Sequence, residues 1–273
     1  MKQDSTALEI RNRTITKAND LIQKSRFSLS IQQQKIVLFL ISQVTQFDTD
    51  FRLYEFSIVD FCKVCGIHYE SGKNYQDIKN DIKDIADKSV WVKLNDEETL
   101  LRWIEKPYID KKSGTIKIRL DEDMKPFLLQ LKTNFTQYEL LWTLHFKSKY
   151  TIRLYELIKS IHFKELESYT REYKLDELKR LLDAETYKTW QAFKERVLIP
   201  AVDEINNYSD KNLTFEPVKH GRSVNSICFK IETKEAMERI KLHSNLEKEL
   251  GLDHDQMTLW DELQEKGYVT STR

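Results

Sequence analysis

The sequence predicts an α+β fold that is mainly helical and holds two copies of one plan, three helices followed by a β-hairpin. Apolar residues recur at helical spacing in three segments of each half of the chain. Each half then shows two strand-like stretches around a turn that contains glycine. The two sets align at an offset of 115 to 117 residues, which indicates an internal duplication.

The first helix of each copy is predicted from a capping box, in which a hydroxyl side chain caps the helix and a residue three positions later reaches back. The two boxes are Ser30 to Gln33 and Thr136 to Glu139, and an apolar segment follows each. After a short extended piece, we expect the second helices at residues 55–61 and 172–178.

The third helices are predicted at residues 75–86 and 190–201, with Ile78 aligned to Phe193 and Ile82 to Val197. The hairpins follow, and they are predicted at residues 99–103 and 115–120 around Gly114, and at residues 213–218 and 226–231 around Gly221. Three helices and a hairpin in this order are typical of a winged helix. The chain therefore reads as two tandem winged-helix domains.

These elements divide the chain into four parts. They are an N-terminal tail (1–14), a first winged-helix domain for dimerisation and auxiliary DNA binding (15–134), a second, main DNA-reading domain (135–234) and an acidic C-terminal tail (235–273). The 44 basic and 44 acidic residues cancel overall. The tail holds 9 acidic and 5 basic residues, which leaves 35 acidic and 39 basic in the mildly basic body.

A winged-helix domain reads DNA by placing its third helix in the major groove, where each base pair shows a distinct pattern of donors and acceptors. In the second domain this helix is predicted at residues 187–207, with Trp190, Phe193, Val197 and Ala201 on the face that packs on the core. The opposite face and its flanks supply the candidate DNA contacts Lys188, Thr189, Gln191, Lys194, Glu195 and Arg196. Pro200 should kink this helix or interrupt its hydrogen bonding.

The hairpin tip of the second domain is basic and suits phosphate or minor-groove contact. Its candidate residues are Lys219, His220 and Arg222. The equivalent helix of the first domain offers Lys73, Gln76, Asn80 and Lys83. Because Asp84 and Asp87 share that face and repel phosphates, we expect the first domain to assist or to mediate self-association. A solvated surface is the alternative for each of these sets.

Three stretches of the chain resemble the plasmid replication initiators that bind iterons through two winged-helix domains. They are residues 17–30, 148–159 and 193–206, and the most specific run is Arg153-Leu154-Tyr155-Glu156-Leu157. The resemblance implies a DNA-binding protein whose monomers bind repeated origin sites and whose dimers repress their own gene. It also implies that the bound protein helps open an adjacent AT-rich region and recruits the host initiator protein and the replicative helicase. Family members carry basic residues before the position of Val197, whereas this chain has Glu195 among them.

The tail contains a second, shorter likeness. Gln256, Met257, Leu259 and Trp260 resemble the peptide by which bacterial replication proteins bind the sliding clamp. Leu259 and Trp260 would fill an apolar groove while Gln256 bonds at its rim. The alternative is an amphipathic helix end that packs Leu259, Trp260 and Leu263 onto the body.

Patterns for other chemistry are incomplete, so we expect no catalytic residues, metal or cofactor. Cys62, Cys65 and His68 are three ligands where structural zinc takes four, and Cys65 aligns with the apolar Leu182. Gly66 to Asn74 departs from the phosphate-loop spacing. The six histidines form no metal-binding pair of the kind that nicking initiators use, and carboxylates for a nuclease are not clustered.

The composition agrees with a cytoplasmic protein that does not enter a membrane. The longest apolar run, residues 36–41, is far shorter than the roughly 20 residues that span a bilayer. The N-terminus lacks the apolar stretch of a signal peptide, and three cysteines do not make a disulfide framework. A winged-helix transcription repressor remains the alternative function, and an inverted repeat at a promoter would favour it over direct repeats at an origin.

Overall fold

A computed structural model describes residues 7–45, 47–67, 73–94, 97–110, 112–161 and 168–250 of the chain. The helices are α1 (Ala7–Arg11), α2 (Asn19–Gln23), α3 (Ile31–Ile41), α4 (Ile58–Cys65), α5 (Lys73–Asp87), α6 (Lys125–Leu128), α7 (Leu141–Leu144), α8 (Lys149–Lys159), α9 (Leu175–Leu181), α10 (Trp190–Phe193), α11 (Ile199–Tyr208) and α12 (Ala236–Glu249). A π-helical segment, Lys194–Leu198, joins α10 to α11, and a 3₁₀ turn, Glu122–Met124, precedes α6.

The strands are β1 (Thr14–Ala18), β2 (Ser25–Arg26), β3 (Tyr54–Ser57), β4 (Ser89–Leu94), β5 (Glu97–Arg102), β6 (Tyr108–Ile109), β7 (Thr115–Ile118), β8 (Phe135–Glu139), β9 (Ser168–Lys174), β10 (Lys211–His220) and β11 (Ser223–Thr233). Within the described ranges they form four small sheets, with strand orders β1-β8, β2-β4-β5, β3-β7-β6 and β10-β11-β9. All of the strand pairs are antiparallel.

The first capping box is confirmed at the start of α3. The Ser30 hydroxyl accepts a hydrogen bond from the Gln33 amide nitrogen, and the Gln33 side-chain oxygen accepts one from the Ser30 backbone nitrogen, each at 3.1 Å. These two bonds satisfy donors that a helix start leaves unpaired. The helix that follows is buried from Ile36 to Ile41 and forms part of the core.

The second predicted capping box is wrong, because Phe135–Glu139 forms strand β8 and pairs with β1. Thr136 and Tyr138 are buried whereas Gln137 is exposed, which is the period of a strand. The partner strand lies about 120 residues earlier, with Ile15 opposite Tyr138, so no local signal reports it. The apolar run after β8 forms the short helix α7, and the longer helix is α8, which Ser148 caps.

Both predicted second helices begin three residues late relative to the expectation. Residues 55–57 end strand β3, and residues 172–174 end strand β9. Helices α4 and α9 then start at Ile58 and Leu175. Each of these starts contains one aromatic residue, Phe56 or Tyr173, which favours a strand, and tertiary pairing with β7 and β11 stabilises it.

The second predicted hairpin is confirmed, and the first is wrong in its pairing. Strands β10 and β11 pair over their length and turn at Gly221, whose φ of +63° suits a residue without a Cβ. In the first domain, β7 turns at Gly114 but pairs with β6 and β3. The segment at 99–103 lies largely in β5 and pairs with β4, which the pattern did not predict.

Buried apolar side chains of the two domains form one continuous core cluster. The aligned helix positions Ile78, Ile82, Phe193 and Val197 all belong to it, as the duplication predicts. A fully buried aliphatic or aromatic side chain contributes roughly 1.5–3 kcal/mol to folding. Of the helices in the described ranges, none is long and apolar enough to cross a membrane.

Candidate nucleic-acid interface

The predicted reading helix of the second domain is one helical segment from Trp190 to Tyr208 in three parts. Thr189 caps it, because its hydroxyl accepts a hydrogen bond from the Ala192 nitrogen at 3.2 Å. Lys188 and Tyr187 therefore precede the helix instead of opening it. Phe193 and Val197 are fully buried, which holds the segment on the domain core.

The π-helical segment Lys194–Leu198 explains how the helix continues through Pro200. Proline lacks the N–H that an α-helical bond requires, and its ring crowds the preceding turn. In the structure, the Ile199 nitrogen donates to the Lys194 carbonyl, one residue further back than in an α-helix, and α11 restarts with Pro200 in its first turn. The predicted interruption of regular bonding is confirmed, and π segments often mark functional sites.

The side of this helix that faces away from the core is polar and open. Lys188, Thr189, Gln191, Glu195 and Arg196 are exposed, and Ala192 and Lys194 are half-buried. Ile199 is 46% exposed and gives the surface an apolar spot of the kind that contacts a thymine methyl group. The Gln191 side-chain amide donates a hydrogen bond to the Glu195 carboxylate. Because Gln191 is neutral, this hydrogen bond leaves the negative charge of Glu195 in place, but it holds the two side chains together.

The wing of the second domain carries Lys219, His220 and Arg222, and all three are exposed at its tip. A bulge between Val218 and Lys219 shifts the strand register immediately before the tip. Bulges re-aim the side chains that follow them. Lys219 and Arg222 place two cations at the tip of the β10–β11 hairpin, where they suit contacts to phosphate oxygens.

The corresponding helix of the first domain, α5, presents a mixed surface. Gln76, Asn80 and Lys83 are exposed, and the Gln76 amide donates to the Asn80 side-chain oxygen at 2.8 Å. Lys73 opens the helix, and its side chain lies outside the described residues. Exposed Asp77, Asp84 and Asp87 lie on the same helix, so its charge is less favourable to DNA than that of the second domain.

Behind the reading surfaces lies a buried ionic cluster, Lys17, Tyr138, Arg153 and Glu156, whose role sequence patterns missed. The Glu156 carboxylate accepts hydrogen bonds from Lys17 Nζ and the Tyr138 hydroxyl, each at 2.5 Å, and lies 3.4 Å from Arg153 Nη1. Burial acts to raise the pKa of Glu156, but the two cations outweigh it, so this pKa lies below its ordinary value. The residues come from β1, β8 and α8, which pair or pack only in the folded chain.

Arg153 extends this cluster across the molecule. Its guanidinium donates to the carbonyls of Ile22 and Ser25 at 3.2 and 3.3 Å in the first domain, and to the Leu181 carbonyl of α9 at 3.4 Å. It also lies over the Phe27 ring, 4.5 Å from its centre. The run Arg153 to Leu157 is therefore buried structure and contributes no DNA contact.

The two N-terminal cysteines are core residues. Cys62 and Cys65 are buried in α4, and desolvation raises the pKa of their thiols to about 11 and about 12. Leu182, which aligns with Cys65 in the duplication, is buried as well. His68, the third member of the zinc-like pattern, lies outside the described residues.

The acidic C-terminal segment begins with helix α12, which packs on the body of the protein. Ser244, Leu246 and Glu247 of this helix are buried. The clamp-like residues Gln256, Met257, Leu259 and Trp260 lie outside the described residues.

Family models of known proteins match both halves of the chain. A family model described as "Initiator Replication protein, WH1" matches residues 14–159, and one described as "Initiator Rep protein, WH2" matches residues 174–231. The crystal structure of Pi initiator protein in complex with iteron DNA aligns with a TM-score of 0.69 at 19% identity, over 82% of this chain and 99% of that chain. These matches confirm the predicted fold of two tandem winged-helix domains. Both family matches end before α12, and the predicted domain limits at 134 and 234 stay predictions.

Proposed function

Because this chain belongs to the initiator replication protein family, whose WH1 model covers residues 14–159, we propose that it initiates plasmid replication by binding repeated duplex sites, iterons, at the origin. The observation that carries the proposal is the reading helix of the second domain. Buried Phe193 and Val197 fix it to the core. Its exposed side offers Gln191 and Arg196, and exposed Lys188 lies just before the helix start, on a segment that suits the major groove.

The aligned Pi initiator structure contains iteron DNA, which supports the same class of ligand for this chain. Two tandem winged helices bind major-groove faces about one helical turn, ~34 Å, apart. A single recognised repeat is then about two turns of DNA. Phosphate contacts by the wing set the affinity and its salt dependence, while the reading helix supplies base discrimination.

Origin opening in this proposal uses binding energy and no catalytic step by the chain. The protein acts in the cytoplasm, bends or unwinds the adjacent AT-rich DNA when several copies are bound, and recruits the host initiator protein and the replicative helicase. Its homodimer represses its own gene. The mixed charge of α5, with exposed aspartates beside Gln76 and Lys83, supports an auxiliary role of the first domain on DNA.

A further host partner is the sliding clamp, through Gln256, Met257, Leu259 and Trp260. A leucine and an aromatic residue that follow a glutamine at this spacing fit the anchor logic of peptide docking. Replacing Leu259 and Trp260 by alanine should abolish clamp pull-down and leave the unfolding free energy of the body unchanged. Clamp that never binds the intact chain would refute this partner.

The competing function is a winged-helix transcription repressor, and footprinting on the DNA upstream of the protein's own gene separates the two. The initiator is expected to protect tandem direct repeats, each about 20 base pairs, in one orientation. Protection of a lone inverted repeat at a promoter, with no direct repeats nearby, would contradict the initiator. Magnesium-dependent cleavage of supercoiled DNA by the purified chain would contradict the non-catalytic mechanism.

A further inference from the structure

Helix α12 begins at the reading helix of the second domain. It follows wing strand β11 through Lys234, which is buried. The Lys234 nitrogen donates to the Asp210 carbonyl at 3.1 Å, and its ammonium donates to the Asn206 carbonyl in the last turn of α11. The start of α12 is therefore fixed to the end of the reading helix and to the base of the wing.

The middle of α12 lies across the junction between the domains. His243 Nε2 lies 2.8 Å from the Glu139 carboxylate at the end of β8, and its ring packs edge-on against Trp142, with ring centres 5.4 Å apart. One turn later, the buried Glu247 accepts a hydrogen bond from Asn12 at 2.9 Å. A helix of 14 residues spans about 21 Å, which is enough to cross from one domain to the other.

The end of α12 docks on the helix-turn-helix of the first domain. Arg11, at 1% exposure, donates to the carbonyls of Lys63 and Val64 in the last turn of α4 at 2.5 and 2.9 Å, and to the Leu250 carbonyl after α12 at 2.9 Å. One guanidinium thus caps the negative ends of two helices from opposite ends of the chain.

Leu250 supplies an apolar contact at the same place. Gly66, which ends α4 with a φ of +63°, has the Leu250 side chain in the space that a Cβ would occupy. The left-handed backbone angle favours glycine here, and a Cβ at this position would displace the end of the Leu250 side chain. Gly66 at the end of α4 is therefore held against the end of α12.

We propose that α12 is a strap that fixes the distance and the relative rotation of the two DNA-reading helices. Arg11 and Leu250 are its positioning residues. The strap joins the end of α11 to Gly66 at the end of α4, so a shift of the second domain's reading helix is transmitted to the helix-turn-helix of the first domain. The inference rests on the proposed function, since spacing matters only if both domains contact one duplex. Helix α12 lies outside both family matches.

The test measures spacing selectivity. The intact chain is first used to select a repeat from a randomised duplex pool. Its affinity is then measured for that repeat and for duplexes with one, two or five base pairs inserted between the segments that the two domains protect. Each inserted pair moves and rotates one segment relative to the other, so a rigid protein loses the second contact. For the wild type, we expect a two-pair insertion to lower the affinity by about 30-fold or more. For Arg11→Met and Leu250→Ser, the same insertion should lower the affinity by about threefold or less.

Matched controls are available on the same helix. Lys241→Met removes an exposed cation, and Met237→Ser makes an exposed apolar residue polar, so both should keep the wild-type selectivity. Arg11→Lys keeps the positive charge but loses the forked set of guanidinium donors. This variant should therefore retain part of the wild-type spacing selectivity. If Arg11→Met does not fold, Leu250→Ser carries the test.

Unchanged selectivity in a folded Arg11→Met or Leu250→Ser variant would overturn the strap and assign the spacing to the other contacts between the domains, which include the β1–β8 pair and the Arg153 cluster. A wild-type chain that selects no repeat would instead contradict the proposed function, so the two failures are distinguishable.

Discussion

At the scale of single residues, Arg153 shows that a residue typical of the family can serve the fold and not DNA contact. It lies in the run that most resembles replication initiators, yet it is 4% exposed and its donors meet carbonyls from both domains. A guanidinium of this kind stabilises only while every partner is in place, because an unpaired buried charge or carbonyl costs free energy.

Arg153→Met should lower the free energy of unfolding by roughly 3–5 kcal/mol, because it breaks a buried pair and leaves Glu156 with Lys17 and Tyr138 alone. Urea unfolding followed by circular dichroism measures the loss. Arg102→Met, at an exposed position on β5, is the matched control and should stay within about 0.5 kcal/mol. Equal stability of the two variants would refute the structural role of Arg153.

His145 should make the free energy of unfolding depend on pH. Burial, with Lys35 and Arg11 nearby, lowers its pKa from 6.5 to about 4, and its ring stacks on Tyr208. The folded pKa lies below the unfolded one, so the stability it contributes is present above pH 6.5. That contribution is lost between pH 6.5 and 4, where the unfolded chain binds the proton first.

In that window the wild type should lose up to about 1.4 kcal/mol per pH unit through this group. His145→Phe keeps a ring against Tyr208 and should flatten the pH profile of the unfolding free energy between pH 6.5 and 4. His220→Phe, which removes an imidazole at the exposed wing tip, is the matched control. A profile for His145→Phe that matches the wild type would show that His145 titrates normally.

At the scale of elements, the sequence predicted what local patterns encode and missed what distant pairing decides. The reading helix was predicted from the period of Phe193 and Val197, and both are buried as expected. The segment from Thr136 to Glu139 carries the residues of a capping box, but β1 pairs with it from far along the chain. Strand pairing that local sequence does not report also explains why β5 was assigned to the wrong partner.

The candidate site likewise contains residues that local sequence patterns predict and residues that only the fold brings together. The exposed face with Gln191 and Arg196 and the basic wing tip follow from helix period and turn residues, so the sequence alone located them. Arg11 and Leu250 are separated by more than 200 residues and meet only through the fold. Since their types, a cation and a leucine, are common on any surface, no motif could have selected them.

The wing should act through phosphate contacts and not through base reading. Replacing Lys219 and Arg222 by alanine should weaken binding to specific and random duplexes alike, and should reduce the slope of log affinity against log salt by about 1.8, or 0.9 per lost contact. Fluorescence anisotropy over a salt series measures both. The matched variant Lys241→Ala should keep the wild-type slope, and a loss confined to the specific duplex would contradict a phosphate role.

At the scale of the whole molecule, the two winged-helix domains form one body because their cores merge and strand β1 of the first pairs with strand β8 of the second. Polar contacts, among them those of the Arg153 cluster and of α12, also cross between the domains. A duplicated fold with a shared core can present two reading helices in a fixed relation, which is what recognition of a site about two turns long requires. The net charge of zero does not report this arrangement, because it sums a mildly basic body and an acidic segment after residue 234.

The most direct measurement is the ratio of affinities for the selected repeat and for a scrambled duplex of equal length, determined for a variant with Lys188, Gln191 and Arg196 all changed to alanine. These side chains are exposed, so the variant should unfold like the wild type. The ratio for the wild type is expected at about 10³ or more, and for the variant at about tenfold or less. A folded variant that retains the wild-type ratio would contradict base reading by this helix.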